Sequence, residues 1–307
     1  MHAFLIVDKP QGISSHAVVS RLRKLLNIKR VGHTGTLDPM ATGVLPVAIG
    51  EATRAIPFLR EDVKVYQATI GLGAATDTQD AEGDIIFEGS TDILTEDCVR
   101  ESIASMCGVI EQLPPMYSAI KKNGVPLYKL ARMGKDVERK RRTVTIHSWT
   151  LDRYSQTELV CTIECSRGTY VRTLAHDLGE KLGCGAHLTG LRRLRSGPFT
   201  IDRAHQLDEL DEKLTARSDG VAISILQALS HRTVLAVREN AIESLLNGVP
   251  PSREDISGDL PGPGAEVSLT YRNCLVAAAV FDPEHMLDDR GDFKLNRVFN
   301  LVREVMQ

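Results

Sequence analysis

This chain of 307 residues has no long apolar run, no paired cysteines and no net basic charge, and each lack removes a class of protein. Without a stretch near ~20 apolar residues there is no helical membrane span. Met1-His2-Ala3-Phe4-Leu5-Ile6-Val7-Asp8 meets a charge too early for a secretory signal, so a cytoplasmic location is expected. The six cysteines are scattered, and Cys161 and Cys165 lack the spacing of a zinc ribbon; reduced, half-buried residues are expected. Gly71-Leu72-Gly73 has no third glycine or amphipathic helix after it, which removes a dinucleotide site, and no Gly-Lys-Ser/Thr loop for phosphates is present. His176 and Asp177 point in different directions on a helix, with no third ligand spaced to join them, so no metal site is expected. Neither an internal repeat nor a heptad pattern occurs.

A formal net charge of −3 argues against a nucleic-acid partner until its distribution is read. From 121 to 142 there are nine Lys/Arg against Asp136 and Glu138, a local balance of +7, whereas 231–307 carries eight Lys/Arg against twelve acids. Tyr117 and Tyr128 sit within or beside the basic stretch, which suits phosphates and unstacked bases, or else a solvated basic face.

What is present suits a globular protein, 42% hydrophobic and 25% charged, long enough for one large domain and a small one. Phe4–Val7 reads as a buried strand, and Ser14 or Ser15 caps a helix with apolar residues at 18, 22, 25 and 26. Preceded by Lys9, that helix start either holds a phosphate or is simply capped. Strands are predicted over 65–71, 144–147 and 158–165, and helices over 95–107 and 174–182. Leu188–Arg195 is a second basic patch, or else only strand-edge charge, and 202–219 is an acidic, polar connection. Beyond it, runs at 233–237, 266–270, 274–281 and 293–298, with a short helix through Leu245-Leu246, predict a compact β-rich module.

The most informative stretch is Gly32-His33-Thr34-Gly35-Thr36-Leu37-Asp38-Pro39-Met40-Ala41-Thr42-Gly43, with three glycines, a proline and one acid. Such a composition favours a rigid loop. Pro39 restricts Asp38 to extended geometry and so directs its carboxylate. The other reading is an Asp-Pro turn in which Asp38 only bonds backbone N–H groups.

Six stretches, in order and covering most of 4–200, resemble the bacterial tRNA pseudouridine-55 synthases of the TruB family. They are Asp8-Lys9-Pro10-x-Gly12-x-Ser14-Ser15, the Gly32–Gly43 stretch, and Gln112-x-Pro114-Pro115-x-Tyr117-Ser118-Ala119. The others are Gly124-x-x-x-Tyr128-x-x-Ala131-Arg132-x-Gly134, Gly168-Thr169-Tyr170-x-Arg172-Thr173 and Gly183-x-Gly185-Ala186-His187-Leu188. The C-terminal module matches more weakly and resembles a PUA domain.

This resemblance implies an α+β pseudouridine synthase fold: a central mixed, mostly antiparallel sheet flanked by helices and loops, plus a small β-rich PUA-like C-terminal domain. The catalytic domain would span 1–230, with 121–142 as a basic thumb-like RNA-binding segment and 202–230 as a connecting region; 231–307 would be the PUA-like domain. The implied reaction isomerises a uridine in the TΨC loop of tRNA, flipping it out, cleaving the bond to C1′ and rejoining uracil through C5. It uses no metal or organic cofactor, takes the tRNA T stem-loop as its partner, and needs neither membrane nor second subunit. By position Asp38 matches the family's essential aspartate and nucleophile, and Arg172 the arginine that pairs with it and keeps it ionised. Tyr66 matches the tyrosine stacked on uracil, His33 the histidine that fills the vacated space, and Lys9 and Leu191 residues lining the uracil pocket. RNA contacts are expected from Lys121, Lys122, Tyr128, Arg132, Arg139, Lys140, Arg141 and Arg142. The alternatives are an RNA-binding or tRNA-folding protein on the same fold, or a synthase acting on another RNA.

Overall fold

A computed structural model describes residues 1–302 apart from 119, 123, 132, 136, 217–219 and 285–290, and at Lys121 the backbone alone. From the N-terminus come β1 (Ala3–Lys9), α1 (Ser15–Leu26), β2 (Val31–His33) and β3 (Thr42–Ile49). Next are β4 (Val63–Leu72), the hairpin of β5 (Ala74–Thr76) and β6 (Ile85–Glu88), α2 (Glu96–Ala104) and β7 (Gly108–Gln112). The basic stretch forms a hairpin of β8 (Lys121–Lys122) and β9 (Val125–Pro126), then α3 (Leu127–Ala131). Long strands β10 (Arg142–Tyr154) and β11 (Glu158–Ser166) lead into α4 (Val171–Leu182) and β12 (Ala186–Ser196). Short elements follow: β13 (Phe199–Thr200), β14 (His205–Gln206), α5 (Leu207–Thr215), β15 (Ala222–Ser224) and α6 (Ile225–Ala228). Last come β16 (Thr233–Val237), α7 (Glu239–Leu246), β17 (Ile256–Ser257), β18 (Glu266–Tyr271), β19 (Cys274–Phe281) and β20 (Phe293–Val298). Among the described residues no helix is long and apolar enough to cross a membrane.

The chain divides into two compact units, the first made of 1–38, 45–60 and 202 onward, the second of 39–44 and 61–201. In the first, β1 is apolar from Ala3 to Val7, as a strand covered on both faces requires, and pairs parallel with β14 and antiparallel with β15. Ser14 caps α1, its hydroxyl accepting from the Ala17 amide at 3.1 Å, and Val18, Val19 and Leu22 form the buried stripe. The acidic stretch from 202 is more than a connection. Leu207 and Leu210 of α5 are buried, and Asp208 and Asp211 form ion pairs with Arg21 of α1.

The C-terminal module is a separate five-stranded sheet of this unit, in the order β17-β16-β18-β19-β20. Its core joins Leu235, Ile242, Leu245, Leu269, Phe281 and Phe293. Arg232 is 3% exposed beneath it and donates to the carbonyls of Val267 and Ala279.

In the second unit an antiparallel sheet runs β12-β4-β11-β10-β7, backed by α4. Alternation along β11, with Leu159, Cys161, Ile163 and Cys165 buried, sends one face into the core. Burial pushes the thiols of Cys161 and Cys165 up to about 11, so both behave as small apolar residues. The α+β class and the mixed, mostly antiparallel pairing agree with the sequence reading.

Candidate active site and RNA interface

The turn after β1 is built around Lys9. Its side chain is fully buried, and Nζ donates to the carbonyls of Pro10 and Ile13, both at 2.8 Å. That geometry is a structural clamp on the turn, and the helix it precedes has an ordinary serine cap.

One residue after that cap, Ser15 reaches the Asp38 loop. Its buried hydroxyl donates to the Leu37 carbonyl at 3.0 Å and accepts from the Leu37 amide at 2.8 Å. Both polar groups of the residue preceding Asp38 are thereby held, 22 positions away in sequence. Asp38 is half-buried, followed by the turn at Pro39-Met40, while His33 ends β2, half-buried, opposite Val47.

The other end of the loop stretch belongs to the second unit, where Thr42 and Gly43 pair parallel with Arg192 and Arg193 of β12. Gly43 has φ +97°, and a Cβ there would lie 2.2 Å from the Arg193 carbonyl oxygen, so only glycine fits. The basic patch at 192–195 is not edge charge: β12 lies beside β4, and Arg193 is fully buried with Nε donating to Val44 O at 2.7 Å.

Opposite Arg193 on β4 sits Tyr66, 7% exposed, and next along β12 Leu191 pairs with Ala68. Lys64, two residues from Tyr66 and so on the same face of β4, carries an amine whose pKa is lowered, first by burial and then by Arg193.

Arg172 lies near the start of α4, which begins three residues before the predicted helix. Gln112 of β7 organises that start: its amide nitrogen donates to Tyr170 O and its oxygen accepts from the Tyr170 amide. Arg172 is 4% exposed and forms an ion pair with Asp80 at 3.0 Å, itself 4% exposed. The same guanidinium donates to the carbonyls of Thr78 and Tyr117. Asp80 also accepts from Thr78 Oγ1 at 2.6 Å and the Glu82 amide at 3.1 Å. Between them Gln79 holds a left-handed φ of +66°, uncommon for a side-chain-bearing residue, with Oε1 accepting from Thr173 Oγ1. Sequence reading passed over Asp80. The available signal was Thr78-x-Asp80-x-Glu82, short polar side chains spaced to bond their own loop.

Farther along α4, burial pushes the Asp177 carboxyl up to about 6, above its ordinary 3.8. A carboxyl raised on folding contributes stability that is full below the ordinary value and lost as pH rises through about 6. Asp177→Asn is therefore expected to flatten the fall in stability over that window. At pH 7.5 it should add about 1 kcal/mol in urea unfolding, a figure discounted for partial exposure.

The described residues of the basic segment are tied down by side-chain bonds to backbone carbonyls. Lys122 Nζ donates to Glu138 O at 3.0 Å, Arg139 to Pro114 O at 3.1 Å and Arg141 to Glu111 O at 3.3 Å. Tyr128 is on α3 with its amide bonded to Ser118 O, Lys140 is exposed, and Arg142 opens β10 opposite Gln112. Arg132 and the side chain of Lys121 lie outside the described residues. Among the described residues no cluster of His, Cys, Asp and Glu is arranged to hold a metal.

Comparison with known proteins finds relatives over nearly the whole chain. The model of "TruB family pseudouridylate synthase (N terminal domain)" matches residues 23–171, and that of "tRNA pseudouridylate synthase B C-terminal domain" matches 172–231. The tRNA pseudouridine synthase B of Geobacter sulfurreducens is 49% identical over 304 residues, 98% of this chain and 100% of that protein. That of Syntrophotalea carbinolica is 46% identical over 98% of each chain. Among solved structures, a Cbf5-Nop10-Gar1 complex contains a chain with TM-score 0.72 and 26% identity, covering 97% of this chain and 84% of that one. An H/ACA RNP bound to a substrate RNA containing 2′-deoxyuridine superposes with TM-score 0.72 at 24% identity, over 97% and 85%, a likeness of fold.

Proposed function

Because the chain belongs to the TruB family and is a tRNA pseudouridine synthase, we propose that its target is uridine 55 in the TΨC loop and that Asp38 is its nucleophile. The observation that carries the assignment to Asp38 is the clamp of Ser15 on both backbone groups of Leu37. It supports a carboxylate held in place on a loop with no other acid.

The chemistry asks for such a group. Uracil leaves C1′ with its bonding electrons, the carboxylate takes its place at C1′, and the base turns so that C5 attacks. Bond formation at C5 expels the carboxylate; loss of the C5 proton and gain of one at N1 complete an isomerisation that consumes no other reactant. The resemblance gives Arg172 the part of keeping Asp38 ionised, Tyr66 that of stacking on the flipped uracil, and His33 that of filling its place. Leu191 is given a wall of the uracil pocket; Lys9 supports the turn. Flipping a base from folded tRNA costs a few kcal/mol, which contacts elsewhere must offset.

The catalytic part is proposed to extend to about residue 230, where the second family match ends, with the module from 231 as an accessory domain and the chain acting as a monomer. Mapping pseudouridine site by site in tRNA incubated with and without the protein tests the reading; modification only at other positions would overturn it.

Lys121, Lys122, Tyr128 and Arg132 are proposed to contact RNA together with the run 139–142. Replacing Arg139, Lys140, Arg141 and Arg142 by glutamine is expected to weaken tRNA binding and reduce the slope of log K against log salt by about 2–3. Arg139 and Arg141 also brace the segment through carbonyl bonds, so the melting temperature is measured alongside. An unchanged salt slope would show that the run faces solvent.

A further inference from the structure

Gln112 opens the motif Gln112-x-Pro114-Pro115-x-Tyr117, and the proposed chemistry gives that motif no part. The residue is buried at the end of β7, and both ends of its side-chain amide are directed at one residue of another element. Its nitrogen donates to the Tyr170 carbonyl at 3.0 Å, and its oxygen accepts from the Tyr170 amide at 2.8 Å. Tyr170 stands immediately before α4, and its own side chain makes no capping bond. An amide at that position has no partner within its own helix. The Tyr170 carbonyl also accepts from the Leu174 amide, closing the first turn. A glutamine 58 positions earlier therefore does for α4 what a capping side chain does for other helices.

Arg172 lies in that first turn. Its guanidinium is held by Asp80 and by the carbonyls of Thr78 and Tyr117, the last at 2.8 Å. Those bonds fix the tip of a long side chain, whereas its main-chain end is fixed by the start of α4. Gln112 and Tyr117 grip the two ends from one stretch of chain. Pro114 and Pro115 between them lock two φ angles, so the spacing of the two grips is stiff. Arg142, where the basic segment returns to the sheet, pairs with Gln112 across β10 and β7. We infer that Gln112 is a positioning residue of the isomerisation: it sets the main-chain end of Arg172 and with it the place of the guanidinium. It acts through Arg172, and the inference rests on the reading in which Arg172 keeps Asp38 ionised.

Gln112→Met keeps the length of the side chain and removes both bonds to Tyr170. Single-turnover release of tritium from 5-tritiated uridine in a T stem-loop is followed with saturating protein from about pH 5 to 8, and RNA affinity by fluorescence anisotropy. At pH 7 the rate is expected to fall about tenfold to a hundredfold, the effect of misplacing a group by up to an ångström, while affinity stays within about twofold. A carboxylate whose neighbouring cation is displaced is easier to protonate, so the acid limb of the rate profile should move to higher pH by about half a unit or more. A helix start that was merely loosened would slow the reaction without moving that limb. Melting curves establish that each variant is folded at the assay temperature. A rate within about twofold of wild type, or a slower rate with the acid limb unmoved, would overturn the inference. Should Gln112→Met fail to fold, Gln112→Asn, whose amide falls one carbon short of Tyr170, takes its place under the same two criteria. Arg172→Gln is assayed alongside. Turnover of that variant at the wild-type rate would remove the reading of Arg172 and the inference with it. A loss there beside an unmoved limb at position 112 overturns the inference alone.

Discussion

Asp38→Asn is expected to abolish pseudouridine formation in a T stem-loop while changing RNA affinity by less than about tenfold. Asparagine keeps the size and extended backbone of aspartate ahead of Pro39, and the Ser15 bonds to Leu37 do not involve the replaced side chain. What disappears is the charge and the capacity to bond C1′. A group that acts only on the reacting atoms shows its loss in turnover rather than in binding. A fall of about 10³-fold or more in single-turnover release of tritium from 5-tritiated uridine is the expected size. Turnover near the wild-type rate would remove Asp38 from the chemistry.

The second large effect is expected at Asp80. The Arg172–Asp80 pair is almost fully enclosed, and removing the carboxylate deprives the buried guanidinium of this counter-charge. Asp80→Ala should lower the unfolding free energy by about 3–5 kcal/mol. It also frees Thr78 Oγ1 and the Glu82 amide, both bonded to the same carboxylate, so the loop that holds Arg172 loosens with it. Asp80→Asn keeps an acceptor for those donors and should lose roughly half as much, the difference measuring the ionic part. Urea titration decides the matter: the midpoint should fall at constant slope, and a midpoint within error of wild type for Asp80→Ala would show that the pair holds nothing. Pseudouridine formation should fall in parallel with the disorder of Arg172.

Asp80 also shows where sequence reading reaches its limit. Arg172 is marked by its own motif, yet one ion-pair partner, Asp80, lies 92 positions earlier, in a polar loop with no motif of its own. Arg193 is the opposite case: a run of arginines on an alternating strand suggests solvent, but the parallel pairing of β12 with Thr42 and Gly43 covers it. Lys9, which the family resemblance assigns to the uracil pocket, donates to two carbonyls of its own turn.

By itself the sequence determined the features governed by near neighbours. The stiff loop around Asp38 follows from Pro39 and its glycines, and the start of α1 from the serines at 14 and 15, of which Ser14 is the cap. The strands of the C-terminal module follow from apolar runs between turn residues, and β16, β19 and β20 have the predicted bounds. Backbone geometry and side-chain periodicity act over a few residues, so they are written locally. Tertiary structure decided which charges are buried and what they hold, and the clamp of Ser15 on Leu37. Those depend on strand register and on helix packing across tens of residues, where a one-residue shift moves every side chain to the other face, and no local pattern records that choice.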